Sequence, residues 1–507
     1  MRQIKEKFTD LAEFICTIHK KVVPLQRFLI KNTMSALFGR EQEKAQLSQL
    51  LNSDKAEFIA VYGRRRVGKT FLIKEHLRDQ ITFYASGVLN EKTHTQVKAF
   101  MQALDSYGAP VPQGKTWMDM FYSLRKLLQP KAESGETCVI FIDEMPCLDT
   151  PRSGFVPALD YFWNTWASNY SNVKLIVCGS ATSWMIKNLI DSHGGLHDRI
   201  TSTIHLHPFT LKECEQYLNE RRVLWNRNMV LQFYMVFGGI PFYLSLVNPK
   251  ESLPQAVDRL YFRKDSPLSG EYSRMLASLF RSPEPYRKII EVLSQHKHGM
   301  TRDDISDELK MKTGGNLSKL LKELEQCDFV RSFFTREKKI KRTEKVYQLT
   351  DMFCLFHIHF AKKGITDGNY WQNHLNTSDL HTWQGIAYER VAMHHIEPIK
   401  KALGIDRIGV EYYAWRSKYS TPASQIDLLL DRADGIVNLC EIKYSQGEYS
   451  IKEDEEKKLN TRQCNFISET ESRQAIRLTM ITSYGLKHNI HSSEVAEELT
   501  MDDLFTD

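Results

Sequence analysis

The sequence predicts an α/β protein whose first half is a parallel sheet with helices on both faces, and three observations predict it. Between residues 57 and about 207, short apolar runs alternate with helical segments, the runs being 58–62, 81–85, 138–142, 173–178 and 203–207. The run Phe58-Ile59-Ala60-Val61-Tyr62 leads directly into Gly63-Arg64-Arg65-Arg66-Val67-Gly68-Lys69-Thr70, and Phe71-Leu72-Ile73-Lys74 follows. The run Cys138-Val139-Ile140-Phe141-Ile142 ends in Asp143-Glu144. Unbroken apolar runs of this length are what strands buried on both faces look like.

The glycine-rich stretch reads as G-x-x-x-x-G-K-[ST], with strand before it and helix after it, the context this motif needs. Gly63 and Gly68 carry no Cβ, so the backbone can wrap closely around a phosphate. Loop N–H groups and the helix N-terminus face the anion, and Lys69 adds a mobile positive charge. Thr70 is expected to place its hydroxyl on a Mg²⁺ that bridges the terminal phosphates of ATP. Asp143 is expected to hold the same ion, and Glu144 to orient and deprotonate the attacking water. The pair could instead cap the next helix. The strand Val173-Lys174-Leu175-Ile176-Val177-Cys178 ends in Gly179-Ser180, where a small hydroxyl can reach the γ-phosphate or the water; Ser180 is equally suited to be an ordinary N-cap. Arg199, beyond the loop Asp191-Ser192-His193-Gly194-Gly195, is the candidate finger on transition-state charge, with surface ion pairing as its plain alternative.

Composition bounds the rest. A chain of 507 residues implies about three domains. With 42% hydrophobic and 26% charged residues it can bury several cores. Its nine cysteines are scattered, odd in number and free of any C-x-x-C, which points to a reducing cytoplasm and excludes a disulfide framework or zinc knuckle. No apolar run approaches the roughly 18 residues of a membrane span. The net charge of +6 is concentrated in residues 1–33, where seven basic residues face three acids, so global charge alone does not predict a nucleic-acid partner. That stretch, 1–34 with its boundary, is read as an N-terminal extension: an appended helix interrupted at Pro24, or an over-extended start.

Along the chain, 35–207 is the core, 208–283 is helical, and the composition changes at 284–350. There Arg287–Leu293, Thr301–Ile305 and Leu317–Leu324 give three amphipathic helices, and Phe329–Phe334 with Lys345–Leu349 give a hairpin. Three helices followed by a hairpin is a winged-helix pattern. The hairpin tip carries Arg336, Lys338, Lys339, Lys341 and Arg342, suited to follow a DNA backbone without reading bases, although winged helices also bind proteins. Residues 351–382 form an aromatic connector with Trp371 and Trp383 expected in a core. His357 and His359, lacking a third ligand, read as satisfied core histidines.

A second chemical centre begins at 383. Glu389 lies on a helix; Gln425–Asp431 and Ile436–Lys443 are strands joined by Arg432-Ala433-Asp434-Gly435, a strong hairpin signal. Strand alternation puts Glu441 and Lys443 on one face, which Asp427 can approach from the partner strand. Asp427 and Glu441, with Glu389, suit a metal ion, and Lys443 suits the water of phosphodiester hydrolysis. A solvated amphipathic hairpin would carry the same residues. The run Glu453–Glu456 is read as a solvated helix face.

Taken together, Phe38-Gly39-Arg40-Glu41, the GRRRVGKT loop, Ile142-Asp143-Glu144, Cys178-Gly179-Ser180 and Gly238-Gly239-Ile240-Pro241 resemble the archaeal-type AAA/STAND-like ATPase family over nearly all of 35–507. The resemblance implies a P-loop NTPase sheet with a helical lid, a winged-helix domain and a C-terminal α/β domain of the restriction-endonuclease-like, PD-(D/E)XK nuclease type. It further implies that Gly39 and Arg40 lie near the nucleotide base, that Ser180 is the sensor, and that Gly239 and Pro241 contact nucleotide from the lid. The proline usual before Asp427 is absent, with Ser424 and Gln425 there instead. The expectation is a cytoplasmic Mg²⁺-dependent ATPase, able to form homo-oligomers, whose nucleotide state controls a metal-dependent nuclease-like domain acting on DNA. Its rivals are a slow ATPase switch with a catalytically silent, partner-binding C-terminal domain, and a transcriptional regulator using the winged helix.

Overall fold

The computed structural model describes residues 37–506 apart from 191–195, 197, 281, 312–314, 335–344, 362, 364, 366 and 418. The expectations for residues 1–34, for the glycine loop 191–195 and for the basic hairpin tip therefore lie outside the described residues.

Five strands, β1 (Glu57–Tyr62), β2 (Ile81–Ser86), β3 (Cys138–Asp143), β4 (Val173–Gly179) and β5 (Ser202–His205), form one parallel sheet in the order β2-β3-β4-β1-β5. β3 and β4 are buried along their whole lengths, as their uninterrupted apolar sequences require. One hydrophobic cluster covers one face of the sheet, centred on Trp117, Phe121, Phe155 and Trp166. The opposite face feeds a second cluster that continues without a break through the helices of 211–279, the three-helix unit and the helices of 352–402. The units of the chain thus share one core rather than hanging as beads on linkers.

In the 284–350 segment, helices Glu284–Gln295, Arg302–Glu308 and Gly315–Gln326 pack with strands β6 (Met300–Thr301), β7 (Val330–Phe334) and β8 (Lys345–Leu349), ordered β6-β8-β7 and antiparallel. Leu317, Leu320, Leu321 and Leu324 supply the buried stripe of the third helix, at the spacing one helical face requires. Thr301 caps the second helix reciprocally with Asp304.

The connector is an aromatic core. Trp371 and Trp383 are 1% exposed and meet Phe356 and Phe360 with ring centroids 5.5–5.6 Å apart. His357 accepts or donates to the Tyr261 hydroxyl at 2.8 Å, and His359 lies 3.3 Å from Asp379. The Ser378–His394 helix, which carries Glu389, runs across residue 383 without interruption.

The C-terminal sheet is mixed, in the order β13-β12-β11-β10-β9. Strands β9 (Val410–Arg416), β10 (Gln425–Arg432) and β11 (Ile436–Lys443) are antiparallel; β12 (Ala475–Thr482) and β13 (Val495–Leu499) add parallel to β11. The long Glu453–Thr470 helix is the crossover that a parallel return from β11 to β12 demands. No helix among the described residues is long and apolar enough to cross a membrane.

Candidate functional site

At the carboxyl end of the parallel sheet, β1 runs into the glycine loop and the Lys69–Leu77 helix follows at once. Gly63 has φ 142°, and a Cβ there would lie 2.3 Å from the Leu206 carbonyl oxygen, so only glycine lets the loop leave the sheet beside β5. Lys69 is buried and donates to the carbonyl oxygens of Gly63 at 2.8 Å and Arg64 at 3.0 Å, leaving one ammonium proton for an anion. Burial pulls its pKa down, against the raising effect of Cys178, Glu144 and Asp143.

The sheet order explains how the acidic pair reaches this loop. β4 lies between β1 and β3, so the residues ending β4 stand between the loop and the carboxylates. Thr70 donates to Asp143 at 2.9 Å. Cys178 donates its thiol hydrogen to Asp143 Oδ1 at 2.6 Å, and burial followed by the neighbouring Asp143 keeps that thiol protonated. Glu144, in the left-handed conformation, accepts from the Ser180 hydroxyl at 2.9 Å and from its backbone N–H at 3.2 Å. A hydroxyl and a carboxylate in contact form an all-oxygen donor set, which fits Mg²⁺.

The other expected residues make the following contacts. Of the two roles open to the loop arginines, reaching phosphates or contacting a neighbouring domain, the side chains of Arg64 and Arg66 take the second. Arg64 forms a buried ion pair with Asp351 and a contact with Met275, and Arg66 pairs with Glu271 at 2.9 Å while lying over the Phe242 ring at 4.0 Å. Their backbone amides, with those of Arg65, Val67 and Gly68, still form the loop. The physical reason is that the helical 211–279 region and the start of the Met352–Ala361 helix close over this side of the loop and carry acids there. Arg40 is buried over the Phe209 ring at 4.6 Å and donates to the carbonyl oxygens of His207 at 2.6 Å and Val67 at 3.4 Å, while Glu213 clasps the Gly39-Arg40 turn. Gly239 is a packing residue: its carbonyl accepts from Phe209 N–H at 2.6 Å, and a Cβ would lie 1.9 Å from the Phe209 oxygen. Pro241 opens the following short helix. Arg199 stands 45% exposed and 4.0 Å from Asp160, an ordinary surface pairing.

The C-terminal carboxylates share one neighbourhood but do not chelate. Asp427 and Glu441 sit one residue beyond the Leu428–Cys440 pair on adjacent strands. Asp427 is held by the His298 imidazole at 3.0 Å and the Gln425 amide at 2.8 Å; burial opposes ionisation, yet these contacts bring its pKa below the usual carboxylate range. Glu441 is paired to Lys443 at 2.8 Å and to Arg462, and Lys443, though burial works the other way, is held charged by Glu441. Glu389 has a buried oxygen that lies 4.0 Å from Arg390 but makes no hydrogen bond; burial, then the Asp427 charge, raises its pKa to about 7. Against expectation, Glu389, Asp427 and Glu441 do not bring three ligand atoms within 4.8 Å of one another. Among the described residues only His205, His207 and Asp328 do so. His298 and Arg462 pair instead with Asp427 and Glu441, and sequence spacing carries no signal for those pairings.

Between these two centres lies the three-helix unit. Asp351, just past β8, receives Arg64 from the glycine loop, while His298, just before β6, holds Asp427. Arg390, beside Glu389, donates to the carbonyl oxygens of Leu349 at 3.0 Å and Lys297. A cavity of about 450 Å³ opens where the three parts meet, with Arg64, Gly239, Asp351, His394 and Asp427 in its wall.

A glycine-loop lysine, a Thr–Asp oxygen pair and an aligned Glu at the carboxyl edge of a parallel sheet define a P-loop nucleotide hydrolase. Residues 37–247 match the family described as an ATPase domain predominantly from Archaea, and the chain carries an ATPase domain of that kind. The chain is also 24% identical over 367 residues to an uncharacterized protein of Methanocaldococcus jannaschii, covering 71% of this chain and 77% of that one. A 42-residue stretch is 49% identical to an uncharacterized ATP-binding protein of the same organism, covering 8% of this chain and 71% of the relative. Among solved structures, a Walker-type ATPase of Pyrococcus abyssi is similar at 17% identity, over 64% of this chain and 96% of that one, with a TM-score of 0.44.

Proposed function

We propose that this ATPase uses its nucleotide state to move the 284–350 unit, acting as a winged helix, and thereby controls a nuclease-like C-terminal domain that acts on DNA. The observation that carries the reading is that the two centres are tied to the same unit or to the residue directly after it, Asp427 through His298 within the unit and Arg64 of the glycine loop through Asp351 at its end. In the ATPase step, Glu144 takes the proton of the attacking water, Ser180 orients Glu144, and Lys69 meets the charge developing on the transferred phosphoryl group. Mg²⁺ held by Thr70 and Asp143 would neutralise part of that charge. At the C-terminal centre the carboxylates are tied to His298, Lys443 and Arg462. Withdrawal of His298 with its unit is the movement that would free Asp427.

The test is cleavage of plasmid and branched DNA with Mg²⁺ or Mn²⁺, with and without ATP, for wild type, Lys69→Ala, Glu441→Ala and His298→Ala. Cleavage by wild type that needs ATP, is lost in Glu441→Ala, and becomes ATP-independent in His298→Ala supports the reading. The pairing of Asp427 and Glu441 to cationic or imidazole partners favours a second reading, an ATP-driven switch whose C-terminal domain only binds a partner. ATP turnover lost in Lys69→Ala with no cleavage under any condition would select it.

A further inference from the structure

We propose that His205, His207 and Asp328 bind a zinc-class divalent cation that fastens the edge of the parallel sheet to the three-helix unit. His205 ends β5 and the Leu206 N–H continues the ladder to the Tyr62 oxygen at 2.8 Å, so strand alternation turns His205 and His207 to one side. Their rings lie 3.8 Å apart between centroids. Asp328 arrives from the turn after the Gly315–Gln326 helix, in the left-handed conformation with φ 60°. Its Oδ2 is 3.2 Å from His205 Nε2 and 3.5 Å from His207 Nδ1.

Those separations fit a shared ion. Ligands about 2.1 Å from a tetrahedral zinc stand about 3.4 Å from one another. Burial opposes the Asp328 charge, yet the two imidazoles hold its carboxyl well below the usual carboxylate range, and one ligand atom from each of His205, His207 and Asp328 lies within 4.8 Å of the others. His207 is 59% exposed, which leaves a fourth position on the solvent side for water. Two imidazoles with one carboxylate select zinc and its neighbours over Mg²⁺ or Ca²⁺, which take oxygen ligands. The nearby guanidinium of Arg40 is itself paired to Glu43 at 3.4 Å, which tempers its repulsion.

The position gives the site a consequence. Tyr62, the residue before Gly63, stacks on the His205 ring at 4.7 Å, and the Leu206 oxygen is the atom against which Gly63 packs. A cation here would stiffen the joint between the nucleotide loop and the three-helix unit close to the Arg64–Asp351 pair, because the Asp351 N–H donates at 3.2 Å to the carbonyl oxygen of Phe329, the residue after Asp328. This inference does not depend on the C-terminal domain cleaving anything.

The experiment strips the untagged full-length protein with a chelator and titrates Co²⁺, reading the visible absorption of a four-coordinate ion, then displaces it with Zn²⁺. His207→Gln, Asp328→Asn and Lys69→Ala are run beside wild type. The expected result is one equivalent per chain, resistant to excess Mg²⁺ and unchanged in Lys69→Ala. His207→Gln and Asp328→Asn should each weaken it at least about 100-fold, the upper end of what losing a mere supporting residue costs. His207 has an exposed ring, so its variant tests the site even if Asp328→Asn fails to fold. An unchanged spectrum in His207→Gln, or no four-coordinate absorption in wild type, overturns the proposal.

Discussion

Ser180 gives its hydroxyl hydrogen to the Glu144 carboxylate across 2.9 Å, joining the end of β4 to the end of β3 at the mouth of the glycine loop. The bond holds Glu144 where its strained left-handed backbone projects it. A hydrogen bond to a charged group contributes about 1.5–3 kcal/mol. Ser180→Ala should therefore lower ATP turnover by roughly 10- to 100-fold through kcat, with KM little changed. Steady-state kinetics beside Glu144→Gln, which should lose more, checks this; equal kcat in Ser180→Ala and wild type would remove Ser180 from the site.

The Arg64–Asp351 pair is buried on both sides. Breaking one partner strands the other charge, which typically costs about 3–5 kcal/mol, whereas replacing both by apolar residues is far milder. Asp351→Ala should thus lower the unfolding midpoint strongly, and Arg64→Met with Asp351→Leu should recover most of it. Thermal denaturation of the three proteins distinguishes this from a loop arginine that merely awaits phosphate.

At Gly239 the constraint is contact with backbone. A methyl group 1.9 Å from the Phe209 oxygen must push the Phe209 and Gly239 strands of chain apart. Gly239→Ala should destabilise by about 3 kcal/mol, as overpacking of a filled interior does. Urea denaturation measures it. Full stability with weakened ATP affinity would instead favour a direct nucleotide contact.

Glu389 has a pKa raised from 4.5 to about 7, chiefly by burial. The protonated form is thus the one the fold prefers. Its contribution is intact below about pH 4.5 and is lost as pH rises through about 7, a change on the order of 3 kcal/mol. Glu389→Gln should remove that slope, so the variant gains on wild type at pH 8 and matches it near pH 5. Chemical denaturation at the two values gives the answer.

The nucleotide centre was legible in the sequence because it is local. Gly63, Gly68, Lys69 and Thr70 fall within eight consecutive residues, and the strand endings at Asp143 and Ser180 are marked by apolar runs that stop in polar residues. The three-helix pattern of 284–350 and the 425–443 hairpin were legible for the same reason, through periodicity and turn chemistry. Tertiary structure alone decided where the charges of those pieces are spent. It turned Arg64 and Arg66 away from the loop to Asp351 and Glu271, put His298 and Arg462 against Asp427 and Glu441, and brought Asp328 to the His205–His207 pair. All but the Arg462–Glu441 pair join residues from separate units, and a long side chain can reach many partners. The choice among them depends on how the shared core packs the units together, which no spacing within one segment records.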